Sequence, residues 1–208
     1  MILRKVISKK MHITRTSTTQ KSSHSIENKV SSDPELLQRA RLLDPQALAQ
    51  VYDLFSPGLY RYAMRRLGDQ NLAEDCVAET FSRFLQTLQS NRGPDNFLQA
   101  YLYRMAHNWI SDHYRHEPPP PEELTEEIRA TEIDPEENTE QRIRQQRIRS
   151  VLKQLTPDQQ QVIILKYLEN MENEEIARAM KKPVGAVKSL QNRALTALKR
   201  ILRNEELA

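Results

Sequence analysis

A run of four prolines at positions 118–121 opens an acidic stretch that splits this chain in two. From 116 to 140 the sequence reads HEPPPPEELTEEIRATEIDPEENTE and holds ten carboxylates. Proline has no N–H to give a helix and its ring clashes with the preceding turn, so no helix crosses the run. Beyond it the like charges repel one another and extend the backbone. We therefore expect a linker over 117–140, with a helical turn near 124–128. The chain has 208 residues, 38% hydrophobic and 28% charged, which suits two small domains better than one large core. Its four glycines argue against a turn-rich all-β fold.

Charge obeys the same division. Positions 1–30 carry a net +6, 31–116 carry −1, 117–140 carry −9 and 141–208 carry +7. The basic excess outside the N-terminal arm thus lies at the C-terminal end, which points to a nucleic acid partner there. The first 32 residues are polar, basic and rich in Ser and Thr, as expected of a disordered arm. They have no apolar stretch of signal-peptide length, and nothing in the chain approaches the roughly 18 apolar residues of a membrane helix, so no membrane insertion is expected. The single cysteine, Cys76, has no partner for an internal disulfide, which fits a reducing cytoplasm.

Both halves carry helical periodicity. In "DPQALAQVYDLFSPGLYRYAMRRLG", Asp44-Pro45 supplies a cap and a first helical position. Leu48, Val51, Tyr52, Phe55, Leu59, Tyr62, Ala63 and Leu67 recur at helical spacing, Ser56-Pro57 predicts a kink, and Gly68 ends the helix. "NLAEDCVAETFSRFLQTLQ" predicts a capping box from Asn71 to Glu74, and "FLQAYLYRMAHNWISDHYRH" predicts a fourth helix. After the linker, Ile143, Ile148, Val151, Leu152 and Leu155 form one stripe, and "TPDQQ" predicts a second capping box from Thr156 to Gln159. These patterns predict an all-α chain of two four-helix bundles.

In "EEIARAMKKPVGAVKSLQNRA", Ile176, Ala177 and Met180 face one way, while Val184, Val187 and Leu190 face back, with a break at Lys-Lys-Pro between them. This is helix-turn-helix spacing. The second helix is then expected to expose Lys188, Ser189, Gln191, Asn192 and Lys199, with Gly185 and Ala186 in its first turn. Gln and Asn pair with an adenine edge, and Lys reaches guanine or phosphate. The alternative is a helical hairpin with a solvated basic face. Tyr101, Tyr103, Trp109 and Tyr114, with Phe97 just ahead, interleave with Arg104, Arg115 and histidines. Such a stretch can stack unpaired bases; the alternative is core packing, for which Leu102 and Trp109 are the first choices. His113 and His116 lack a third ligand, so we expect no metal, and no nucleophile or phosphate-loop motif calls for a cofactor or an enzyme.

Taken together, these motifs resemble the extracytoplasmic-function (ECF) branch of the bacterial sigma-70 family. The resemblance covers 33–116 as a sigma-two-like domain and 141–208 as a sigma-four-like domain. It implies core RNA polymerase, promoter DNA and an anti-sigma protein as partners. It implies that Asp75, Glu79 and Arg83 dock on polymerase, with Ala78 where the family often has Gln. It further implies that Asn96, Phe97, Tyr101, Arg104, Asn108, Asp112 and Arg115 melt and read the minus-ten element as single strand. Lys182, Val184, Gly185, Ala186, Lys188, Ser189, Gln191, Asn192, Arg193 and Lys199 would read the minus-thirty-five duplex. Lys181 stands where the family's turn often has Gly, and Leu190 where it often has Arg. A dimeric helix-turn-helix repressor is the competing reading.

Overall fold

The structure is a computed structural model that describes residues 34–116 and 139–206. The N-terminal arm and the turn expected at 124–128 lie outside the described residues. Among the described residues there are eight α-helices and no strand: α1 (Pro34–Arg41), α2 (Pro45–Leu67), α3 (Gln70–Gln89), α4 (Leu98–His116), α5 (Thr139–Lys153), α6 (Pro157–Ile163), α7 (Asn173–Met180) and α8 (Val184–Glu206).

Helices α1–α4 form the first group. The Asp44 carboxylate accepts from Gln46 N and is gripped by Arg39 at 2.9 and 2.6 Å, which joins the start of α2 to the end of α1. Pro57 stands inside α2, which continues as one helix to Leu67. Gly68 closes it in the left-handed region, φ 72°, where a side chain is strained. The next cap differs from the sequence expectation. Asp69, not Asn71, accepts from Leu72 N at 2.9 Å and starts α3. An Asp directly after the helix-ending glycine captures the free N–H groups first, and Asn71 is left inside the helix. The core between α2, α3 and α4 is filled by Leu59, Tyr62, Phe84, Leu102 and Ile110, with Cys76 beside them.

Helices α5–α8 form the second group. The Thr156–Gln159 capping box is present. On α5, Val151, Leu152 and Leu155 are buried, but Ile148 is 36% exposed, contrary to the expected stripe. Arg149 takes the inward position instead. Its guanidinium donates to the carbonyls of Leu67 at 2.6 Å and Gly68 at 3.1 Å, using acceptors freed at the end of α2.

A π turn, Ile164–Leu168, continues α6. It buries Ile164 and Leu165 and ends with Glu169 N–H donating to Ile164 O at 3.0 Å. A capping box from Glu172 to Glu175 then starts α7, and Lys181 ends it at φ 52°. The helix-turn-helix turn is therefore left-handed despite carrying lysine in place of glycine. Val187, Leu190, Ala194 and Ile201 bury the inner face of α8.

The two groups pack on each other, chiefly through α4 against α7.

Candidate nucleic-acid and polymerase interface

Three surfaces carry the predicted residues. On α3, Asp75 is exposed, and Glu79 is half-buried and pairs with Arg83 at 2.7 Å, one turn apart. All three lie opposite the buried stripe of Cys76, Val77, Thr80, Phe81 and Phe84. The result is an acidic ridge with one internally paired carboxylate and one free to solvent.

The second surface runs along α4. Asn96 and Asn108 are exposed, and Arg115 and Asp112 form an ion pair at 3.2 Å. Tyr101 is half-buried, its ring centroid 6.3 Å from that of Phe84, and the Arg104 guanidinium lies 4.9 Å from it. Tyr101, Arg104, Asn108, Asp112 and Arg115 recur at helical spacing and share one face. Phe97 precedes the helix at φ 53°, a conformation held by the packing around it rather than by its own preference. Its ring lies under the Arg178 guanidinium, 3.8 Å from the centroid.

On α4, Leu102 is buried as expected, but Trp109 is only half-buried and stacks on His113 at 5.5 Å. Tyr103 is the ring that is sealed off, 2% exposed, edge-on to Tyr62 and hydrogen-bonded to Glu169. Burial and the adjacent Glu169 charge raise its phenol well above the ordinary value.

The third surface is α8. Gly185, Ala186, Lys188, Ser189, Asn192, Arg193 and Lys199 are exposed or half-exposed, and nothing lies within 4 Å of a Cβ placed on Gly185. Val184 is half-buried. Lys182 is engaged with Asp158 at 3.0 Å, which ties the turn to the start of α6.

Gln191 departs from its predicted role. It is buried at 8%, and its amide donates to Asn173 Oδ1 at 2.8 Å. It lies four residues after Val187 and one after Leu190, on the inner stripe, where it holds the first helix of the pair to the second. Its position in the repeat 187, 190, 191, 194 was the signal that its polar type concealed.

Two small helical bundles, the second presenting a cationic helix from a helix-turn-helix, define a DNA-binding factor of the all-α class. The family models described as "Sigma-70 region 2" and "Sigma-70, region 4" match residues 51–117 and 145–198. The ECF RNA polymerase sigma factor BldN of Streptomyces coelicolor is 32% identical over 81% of this chain, a match that spans 65% of BldN. The RNA polymerase sigma-E factor of the same organism is 31% identical over 68% of this chain and 77% of its own length. The solved structure of CnrH in complex with the cytosolic domain of CnrY shares the fold, with TM-score 0.65 and 24% identity over 83% of this chain and 97% of that one.

The chain belongs to the ECF branch of the sigma-70 family of RNA polymerase sigma factors. That family serves promoter-specific initiation of transcription and is not a classical enzyme family. No helix among the described residues is long and apolar enough to cross a membrane.

Proposed function

We propose that this chain acts in the cytoplasm without catalysis of its own and divides promoter recognition between two modules, 33–116 and 141–208. The acidic ridge of Asp75 and Glu79, steadied by Arg83, docks on core polymerase. The α4 face of Tyr101, Arg104, Asn108, Asp112 and Arg115, with Asn96 and Phe97 at its N-terminal end, captures separated bases of the minus-ten element. Stacking on aromatic faces offsets part of the cost of unpairing.

Helix α8 enters the major groove of the minus-thirty-five duplex through Gly185, Ala186, Lys188, Ser189, Asn192 and Arg193. Lys182 and Lys199 flank it toward the phosphates, and Val184 seats the first turn. The linker over 117–140, at −9, keeps off DNA. An anti-sigma protein is the proposed inhibitory partner, a reading supported by the sigma factor RpoE of similar fold, solved in complex with the anti-sigma factor NepR from Bartonella quintana.

The observation that supports this reading best is the separation of two chemistries: half-buried aromatics with cations on α4, and exposed cations and amides without aromatics on α8. The test is a pair of variants assayed for duplex binding and for promoter opening with polymerase. Lys188→Ala is expected to weaken duplex binding and lower its salt slope by about one. Tyr101→Ala is expected to leave duplex binding intact and impair opening. Loss of duplex affinity alone in both variants overturns the division.

A further inference from the structure

The loop that joins α3 to α4, residues 90–97, carries Asn96 and Phe97. Asn91 and Phe97 bracket it, both at φ 53°, in the left-handed region that residues with a side chain rarely adopt. The end of α3 fixes its first half. Asn91 N donates to Leu88 O at 2.9 Å and Arg92 N to Thr87 O at 3.0 Å. The second half is held differently. Among the described residues, the polar contact that ties 93–96 to another element is an ion pair, in which Arg41 Nη1 donates to Asp95 Oδ1.

Arg41 is the last residue of α1 and stands on a fixed base. Leu36, Leu37 and Ala40 bury α1 in the core, and Arg39 anchors its end by gripping Asp44. Side chains two positions apart on a helix do not face each other, so Arg39 reaches α2 while Arg41 is left for the loop. The stem of Arg41 also lies beside Gly93. A Cβ placed on Gly93 would stand 4.0 Å from Arg41 Cγ and 2.5 Å from Cδ2 of the buried Leu88. Glycine thus lets the loop pass close against α3, and Pro94 restricts the backbone that follows. Two residues after Asp95 comes Phe97.

The geometry points to Arg41 as a positioning residue for single-strand capture: by holding Asp95 from the end of α1, it sets the pose of the loop that presents Asn96 and Phe97, and so which base they accept. The inference rests on the assignment of Asn96 and Phe97 to the minus-ten element. Both members of the pair are exposed, where ion pairs add little to global stability. The consequence of the pair is local. A loop free to adopt several poses is competent in only a fraction of the molecules, and its apparent affinity falls by that fraction. Helix α1 then contributes to base choice without touching the strand.

The test uses the chain bound to core polymerase and a random-sequence pool of single strands about 20 nucleotides long, from which the parent selects its preferred strands. Arg41→Ala and Asp95→Ala are each expected to bind those strands about fivefold more weakly and to select with less preference at one position. Thermal midpoints should not move, and duplex affinity should stay within about twofold. The exchanged pair, Arg41→Asp with Asp95→Arg, is expected to recover strand affinity to within about twofold of the parent.

The exchange separates positioning from direct contact. If Arg41 simply met a phosphate, Asp95→Ala would release it and strengthen binding. If Asp95 itself read a base, an arginine in its place would not restore the preference. Parent-like affinity and preference in both single variants, or no recovery in the exchanged pair, overturns the positioning role. Phe97→Ala is the control for the underlying reading. Parent-like strand binding in that variant removes the assignment of the loop to strand capture, and the role of Arg41 with it. Loss of binding there, with parent-like Arg41 and Asp95 variants, overturns the positioning alone.

Discussion

Tyr103 Oη donates to the Glu169 carboxylate at 2.9 Å across 66 residues of sequence, from one helical group to the other. Neither group alone gives the Tyr103 hydroxyl that partner. Tyr103→Phe keeps the edge-on ring contact with Tyr62 and removes only the donor. A hydrogen bond to a charged group contributes about 1.5–3 kcal/mol. The urea midpoint of the variant is expected to fall by a corresponding amount. An unchanged midpoint means that the bond does not form in solution.

Gln191 and Asn192 are adjacent but face opposite ways, and their alanine variants should separate cleanly. Gln191→Ala loses the bond to Asn173 and is expected to lower stability by about 1 kcal/mol with an unaltered salt slope. Asn192→Ala should leave stability within about 0.5 kcal/mol and change which duplex sequences are preferred. Thermal unfolding alongside duplex selection measures both. The reverse pattern would return Gln191 to the reading face.

His107 gives the fold a pH dependence. Burial lowers its pKa to about 4 from an ordinary 6.5, and the Arg66 charge adds to this, as does the weaker influence of Lys182; Asp158 acts in the opposite sense. Its ring nitrogens face Tyr62 Oη at 3.3 Å and Ser111 Oγ at 3.4 Å. The unfolded chain therefore takes up a proton near 6.5, and the folded one resists until about 4. The neutral imidazole contributes its full stability above 6.5. That stability is lost as pH falls toward 4, by up to about 3 kcal/mol. Urea midpoints measured from pH 7 to 4 are expected to fall, and His107→Gln should flatten that slope. A parallel fall in the variant assigns the slope to other groups.

Much of this fold was legible because its signals are local. Asp44-Pro45, Gly68 and the Thr156–Gln159 box act within four residues, and each falls where the sequence predicts. Asn71 misled because two caps competed three residues from a helix end, and the Asp next to Gly68 had the better position. Trp109 and Tyr103 exchanged their expected burial for another reason. Tyr103 is sealed by Glu169, and no periodicity within α4 reports a partner beyond the linker. Ile148 and Arg149 exchanged in the same way, since Arg149 answers carbonyls on α2. The candidate reading face of α8 was legible except for Gln191, where residue type and helical phase disagreed and phase prevailed.

Lys181 is held at φ 52°, where a side chain crowds its own carbonyl by about 1 kcal/mol. Lys181→Gly removes that strain, although the freer unfolded chain offsets part of the gain. A net stabilisation of roughly 0.5 kcal/mol is expected by thermal unfolding. Lys181→Val, branched at Cβ, should destabilise the helix-turn-helix by more than alanine does at the same position. Equal stability of the glycine and valine variants would mean that the turn is not left-handed in solution.

Promoter recognition conferred on RNA polymerase by this chain is directly measurable. Sigma-free core polymerase, purified chain and fragmented genomic DNA of the source organism are combined, and the transcripts are sequenced. Discrete start sites that share two spaced upstream elements, present only when the chain is added, are the expected result. Transcripts with random ends, or the same transcripts with and without the chain, would contradict it.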